Sequence, residues 1–159
     1  EFWVHEEMYR ALGGNPVALP VSEVTTSLTT GNIDGFDNTP LYAFAAGWNK
    51  LITVWNVSDH IYQPAIIVYN KEWYDALPPD MQAVVMADQK IQTKMGRKLV
   101  RNMNEDLVKQ LETDGVKVYK LTDAEKKSLA DASKSVYDQV PKKIGERGAA
   151  LLKKVMDAR

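Results

Sequence analysis

No cysteine occurs among the 159 residues. That absence excludes disulfides, thiol nucleophiles, iron–sulfur clusters and cysteine-built zinc sites together, and it leaves the compartment open. No apolar run approaches the roughly 20 residues that cross a bilayer as a helix. The opening Glu1-Phe2-Trp3-Val4-His5-Glu6-Glu7 is neither basic nor continuously apolar, so it does not read as a signal peptide. Methionine does not stand first, from which a processed, truncated or excised chain is expected. Internal repeats, low-complexity tracts and Gly/Ser linkers are also missing. What remains is a folded composition: 45% hydrophobic and 26% charged residues supply enough apolar surface to offset the entropy of ordering.

Charge is nearly balanced overall, at −1, but unevenly placed. Residues 1–70 hold two basic and seven acidic residues, whereas residues 71–159 hold 18 basic and 14 acidic. The paired lysines 126–127, 142–143 and 153–154 alternate with acids and apolar residues, which is the pattern of a solvated helix face. Nothing here forms an electrostatic footprint for nucleic acid, so no nucleic-acid partner is expected.

The first part reads as short strands alternating with helices, the second as mostly helical. A helix over 2–12 places Phe2, Met8, Tyr9 and Leu12 on one face, and Gly13-Gly14-Asn15-Pro16 stops it. Val17-Ala18-Leu19-Pro20 has the composition of a buried parallel strand. Ser22 is the expected N-cap of a helix over 23–30, with Gly31 at its C-terminal stop. Ile33–Asn38 reads as a very short strand and turn, and Thr39-Pro40 opens the next helix. Residues 51–57 and 60–69 read as extended; Ile66-Ile67-Val68-Tyr69 carries the strongest strand signal. From Leu77-Pro78-Pro79-Asp80, apolar residues keep helical spacing as far as Leu111; that helix either breaks, with Gly96 as the candidate point, or bridges two lobes. Asp114-Gly115 ends it, Val116–Tyr119 is a short strand, and Thr122-Asp123-Ala124-Glu125 is a capping box. Pro141 is expected to bend or interrupt the helix that follows, before a last amphipathic helix carrying Ile144, Leu151, Leu152 and Val155. This order implies an α/β fold with a largely parallel sheet flanked by helices.

Catalytic patterns fail one by one. His5-Glu6-Glu7-Met8-Tyr9 starts like the zinc-protease HExxH helix, but Tyr9 stands where the second histidine belongs. Asp59-His60 offers a base without a Gly-x-Ser-x-Gly elbow. Asp34 and Asp37, with Gly35 and Asn38, carry turn chemistry rather than a convergent carboxylate pair. Neither GxxxxGK[ST] nor GxGxxG occurs. No catalytic residue, metal ligand or cofactor is assigned.

One ordered constellation goes further. Leu12-Gly13-Gly14-Asn15-Pro16-Val17, then Val21-Ser22-Glu23-Val24, then Leu28-Thr29-Thr30-Gly31-Asn32-Ile33-Asp34-Gly35-Phe36-Asp37-Asn38 resembles the solute-binding proteins of TRAP transporters, the DctP family. Ser58-Asp59-His60, Tyr69-Asn70-Lys71-x-Trp73, Leu77-Pro78-x-Asp80-x-Gln82 and Gly115-Val116-x-Val118 continue the likeness along nearly the whole chain.

The resemblance implies a two-lobed α/β receptor, periplasmic or secreted, that closes on a small organic anion. The anion would be a carboxylate, delivered to the membrane permease subunits of a transporter driven by an ion gradient, without catalysis. It implies one lobe plus part of the other: residues 1–63 and 104–159 in the second lobe, and 64–103 as a crossover strand and helix of the first, with a long inter-lobe helix. Family members are about twice this long, and this chain starts after the strand carrying their carboxylate-binding arginine. Arg10 lies in the helix after that position and does not inherit the role. Asn38 matches the family's ligand-contacting asparagine, and Asp37 replaces the usual glutamate. Phe36, on the face of Asn38 by the strand period, together with Tyr62, Gln63 and Val21, completes the expected ligand-binding set. A different class of function stays open: a lobe-derived interaction domain that assembles with the missing lobe or with a second copy of itself.

Overall fold

The computed structural model describes residues 3–158; Phe2, assigned to the first helix's apolar face, lies outside them. Helix α1 spans Trp3–Ala11 and ends at the expected glycine stop. Val17–Pro20 then has no strand partner among the described residues, and Val17 is exposed, so the expected buried strand is not formed. Helix α2 spans Val21–Thr30, beginning directly after Pro20, which puts Ser22 inside the helix rather than at its cap. Gly31 ends it at φ 73°, a left-handed conformation that turns the Asn32 N–H back to the Ser27 carbonyl at 2.9 Å. Residues 33–38 carry no strand. Helix α3, Pro40–Ala45, starts as expected, with proline in its first turn and the Thr39 hydroxyl accepting from the Tyr42 N–H. A 3-10 turn, Trp48–Lys50, leads to strand β1, Val54–Val57.

Helices α4, Lys71–Asp75, and α5, Pro79–Met86, follow. The long helical pattern breaks at Ala87-Asp88, where Asp88 takes φ 56°, and not at Gly96. Gly96 lies within helix α6, Gln89–Thr113, whose 25 residues extend about 37 Å at 1.5 Å each. Strand β2, Lys117–Lys120, pairs with β1. The Lys117 N–H donates to the Thr53 carbonyl at 2.9 Å and the Leu121 N–H to the Val57 carbonyl at 3.3 Å. Equal advance along both strands makes the pair parallel. The complete Thr122–Glu125 capping box opens helix α7, Asp123–Ala132. A 3-10 stretch, Lys134–Gln139, leads into α8, Val140–Asp157. Pro141 sits in the first turn of α8, where its missing N–H costs nothing; the kink falls instead at Gly145, whose φ of 67° and ψ of −169° fit glycine alone.

The class is therefore mixed α/β with a small parallel sheet. The chain divides into two compact units. One comprises Glu1–Phe36, Asn56–His60 and Tyr119–Arg159; the other comprises Asp37–Trp55 and Ile61–Val118. Within the first, the 3-10 stretch packs against α1, α7 and α8, and Val136 is buried there. Gln139 Nε2 donates to Glu7 Oε2 at 2.8 Å, and that bond is the main reason the Glu7 carboxyl is held below the usual carboxylate range. Within the second, α3 packs on α6, and Ala43, Trp48, Leu111 and Val116 form the core. The Tyr42 and Trp48 rings tilt against each other at 5.5 Å.

The strongest strand signal is not realised. Among the described residues no strand forms over 60–69, and Ile66, Ile67 and Val68 are 79%, 85% and 73% exposed. A β-branched run becomes a strand only when a neighbour takes up its backbone groups. Residues 86–103, most of α6, are likewise exposed all round, including Ile91, Met95, Leu99 and Met103.

Two measurements test this packing. Asn104 on α6 has its side-chain oxygen buried without a hydrogen-bond partner among the described residues. Asn104→Leu is expected to raise the unfolding free energy by about 1–2 kcal/mol in denaturant titration, because an unmet acceptor costs about that much. Asp131 is pulled from 3.8 down to about 2 by hydrogen bonds from Lys127 and then Lys134. A depressed carboxylate contributes stability above its unfolded pKa and loses it as pH falls through its folded one. Stability should therefore decline between about pH 4 and pH 2, and Asp131→Asn should flatten that decline while leaving values near neutrality little changed.

Candidate functional site

Parallel strands in α/β folds present their carboxyl ends to ligands. In the first unit, Ser58-Asp59-His60 follows β1 at that end. Asp59 holds φ 50°, a left-handed conformation that aspartate tolerates better than most residues. Its carboxylate accepts from Lys126 Nζ at 2.8 Å, which ties the loop to the first turn of α7. Ser58 Oγ and His60 Nδ1 share a hydrogen bond.

Beyond β2, Glu125 gathers three donors. Thr122 Oγ1 reaches it at 2.7 Å, the Thr122 N–H at 2.8 Å and the Tyr119 hydroxyl at 2.7 Å. The Thr122 hydroxyl chiefly, then its N–H, then Tyr119 hold this carboxyl below its ordinary range; the hydrogen bond to Glu125, and then its charge, push the Tyr119 hydroxyl up. Glu125 is thus a structural acceptor at the start of α7 rather than a proton donor at neutral pH. Among the described residues no group of three His, Asp or Glu side chains could hold a metal ion.

The five ligand-binding candidates fall in two groups. Val21, the first residue of α2, is exposed, and Phe36, at the end of a segment of the first unit, is half-buried. Asn38, Tyr62 and Gln63 belong to the second unit. Asn38 is half-buried; its Oδ1 accepts from the Thr39 N–H at 2.8 Å, and its amide nitrogen has no partner among the described residues. Two N–H donors therefore stay available for a carboxylate or hydroxyl. Tyr62 is 76% exposed and Gln63 is exposed. Because 33–38 forms no strand, the two-residue period that put Phe36 and Asn38 on one face does not apply.

A cavity of about 620 Å³ lies elsewhere, along α6, lined by Lys90, Lys94, Arg97, Lys98 and Arg101 among others. None of the five candidates lines it. It is a feature the sequence reading missed, and its signal was legible: residues 89–104 contain five cations and no acid. Asn104 was also missed, and no sequence signal marks a buried acceptor of that kind.

The family described as bacterial extracellular solute-binding protein, family 7 (DctP), matches residues 3–143. The 2,3-diketo-L-gulonate-binding periplasmic protein YiaO of Escherichia coli K12 is 29% identical over 92 residues, 58% of this chain and 28% of that protein. The C4-dicarboxylate-binding periplasmic protein DctP of Rhodobacter capsulatus is 35% identical over 79 residues, 50% of this chain and 24% of that protein. The crystal structure of a TRAP periplasmic solute-binding protein from Xanthobacter autotrophicus Py2, with bound β-D-galacturonate, is similar with a TM-score of 0.75 at 26% identity. That likeness covers 86% of this chain and 45% of the other. The chain thus spans less than half of that structure, and about a quarter of each curated relative's length is matched. With the family's pattern running from residue 3 to residue 143, the chain belongs to the DctP family of bacterial extracellular solute-binding proteins.

Proposed function

We propose that the chain is the C-terminal portion of a TRAP-type solute receptor, which captures a small organic anion and hands it to membrane permease subunits. The observation that carries this reading is the family match over residues 3–143. The relatives' ligands point to the substrate class: a diketo-gulonate, C4-dicarboxylates and a galacturonate are all small carboxylates. Asn38 donates to the ligand through its unpaired amide nitrogen. Phe36, Tyr62, Gln63 and Val21 are the further ligand-contact candidates, each taken from the family likeness. The protein works in the periplasm or outside the cell, by binding and release rather than by catalysis.

In the whole receptor, residues 1–63 and 104–159 belong to the second lobe and 64–103 cross to the first. Ligand stabilises the closed form by binding it more tightly than the open one. The carboxylate clamp, a bidentate guanidinium, lies in the half outside this chain. Ile66–Val68 would gain its strand neighbours from the same half. That exposed run also favours a second reading, in which the chain assembles with itself; a solution mass that rises with concentration is its mark.

Calorimetric titration with succinate, lactate, gulonate and galacturonate tests the proposal. The 159-residue chain alone is expected to give no saturable heat. A chain extended at its N-terminus to the relatives' length should bind one of these acids at micromolar strength. In that chain Asn38→Ala should weaken binding about tenfold, the loss expected for one hydrogen bond to a charged group. Micromolar binding by the 159-residue chain would contradict the need for the clamp. An extended, folded chain that binds no carboxylate would contradict the receptor reading itself.

A further inference from the structure

The first four turns of α6 carry a charge pattern found nowhere else in the chain. Lys90, Lys94, Arg97, Lys98 and Arg101 occur with no acid anywhere between residues 89 and 104. At 100° per residue they occupy one arc about 100° wide, along about 16 Å of helix. All five are exposed, and all five line the same open cavity of about 620 Å³. Among the described residues none of them has an ion-pair partner, whereas Lys71, Lys109, Lys126, Lys127 and Lys134 are each paired with an aspartate.

Such an arrangement opposes the helix that bears it. Lys90–Lys94, Lys94–Lys98 and Arg97–Arg101 stand four residues apart, and Lys94–Arg97 and Lys98–Arg101 three, so like charges face each other five times. Each such pair is mildly destabilising, and no acid on the helix relieves it. A dense array of negative charge on an external surface would.

We propose that this stripe docks the chain onto a membrane surface bearing anionic phospholipid. The stripe is straight and of a single sign, as contact with a plane of headgroups requires. It contains no aromatic residue between 89 and 104, and so lacks both the stacking groups of a single-stranded nucleic-acid groove and the aromatic anchors of a protein interface. The exposed apolar residues Ile91, Met95, Leu99 and Met103 are centred about 130° round the helix from the stripe, so headgroup contact leaves that face turned away. Docking is therefore compatible with burial of the apolar face by another half of the receptor, and does not depend on solute binding.

Co-sedimentation of the 159-residue chain with lipid vesicles tests the proposal. Vesicles with about one quarter phosphatidylglycerol in phosphatidylcholine should bind the chain, and binding should fall at least about tenfold between low salt and about 0.3 M NaCl. Pure phosphatidylcholine vesicles should not bind it. The triple variant Lys94→Gln, Arg97→Gln, Arg101→Gln should bind about 100-fold more weakly, since each cation near such a surface contributes about fivefold. Lys142→Gln, Lys153→Gln, Lys154→Gln removes the same charge from α8 and should bind like the parent. Circular dichroism checks that both variants keep their helix content. Equal losses in the two variants would overturn the assignment to α6. Binding to neutral vesicles would point to insertion of the apolar face and overturn the electrostatic mechanism. Failure to bind phosphatidylglycerol while polyglutamate binds would assign the stripe to an acidic protein and overturn the membrane proposal.

Discussion

An extended segment brings a row of N–H and C=O groups that another strand must satisfy, and an apolar helix face must be covered by something other than water. Both demands stand open in the second unit. Ile66, Ile67 and Val68 are chemically a strand and structurally an exposed, unpaired run. Residues 86–103 are exposed on every side. The apolar set that does close, Ala43, Trp48, Leu111 and Val116, gathers at the other end of α6. On the proposed reading, the apolar surfaces left open, Ile66–Val68 and the Ile91, Met95, Leu99 and Met103 face of α6, are those that the remaining half of a two-lobed receptor covers.

The same constraint bears on binding. A receptor that recognises a carboxylate needs charge-assisted donors on more than one side of the ligand. On the proposed reading this chain contributes an amide at Asn38, whose Oδ1 accepts from the Thr39 N–H, and no guanidinium among the five candidates. At the carboxyl ends of β1 and β2, polar groups are occupied structurally. Asp59 is bound to Lys126, and Glu125 accepts three hydrogen bonds at the head of α7. Local order at the carboxyl ends of β1 and β2 is therefore well provided for, while the ligand's own charge is not.

Legibility in the sequence followed how local each cause is. Gly31, Thr39-Pro40 and the Thr122–Glu125 box act within four residues of themselves, and their helices begin or end where those residues place them. Ser22 is a capping residue type, yet Pro20 already opens the helix with suitable backbone geometry. The break at Ala87-Asp88 has no signal in the sequence because the apolar spacing continues across it; Gly96, the residue type that breaks helices, sits within α6. Pro141 was absorbed at a helix start and Gly145 made the kink. The strands at 17–20, 33–38 and 60–69 were misread for one reason: side-chain type records a preference for pairing but not the presence of a partner. The ordered family motifs supply the five candidate residues; the absence of a strand over 33–38, which removes the shared face expected for Phe36 and Asn38, depends on pairing partners that local sequence does not encode.

Hydrogen exchange at Ile66, Ile67, Val68 and Tyr69 tests the central claim most directly. In the 159-residue chain these amides should exchange near the rate of an unstructured peptide at every protein concentration, and in a chain extended to the relatives' length they should be protected at least about 100-fold, as paired strands are. Strong protection in the short chain, or none in the extended one, would contradict the account.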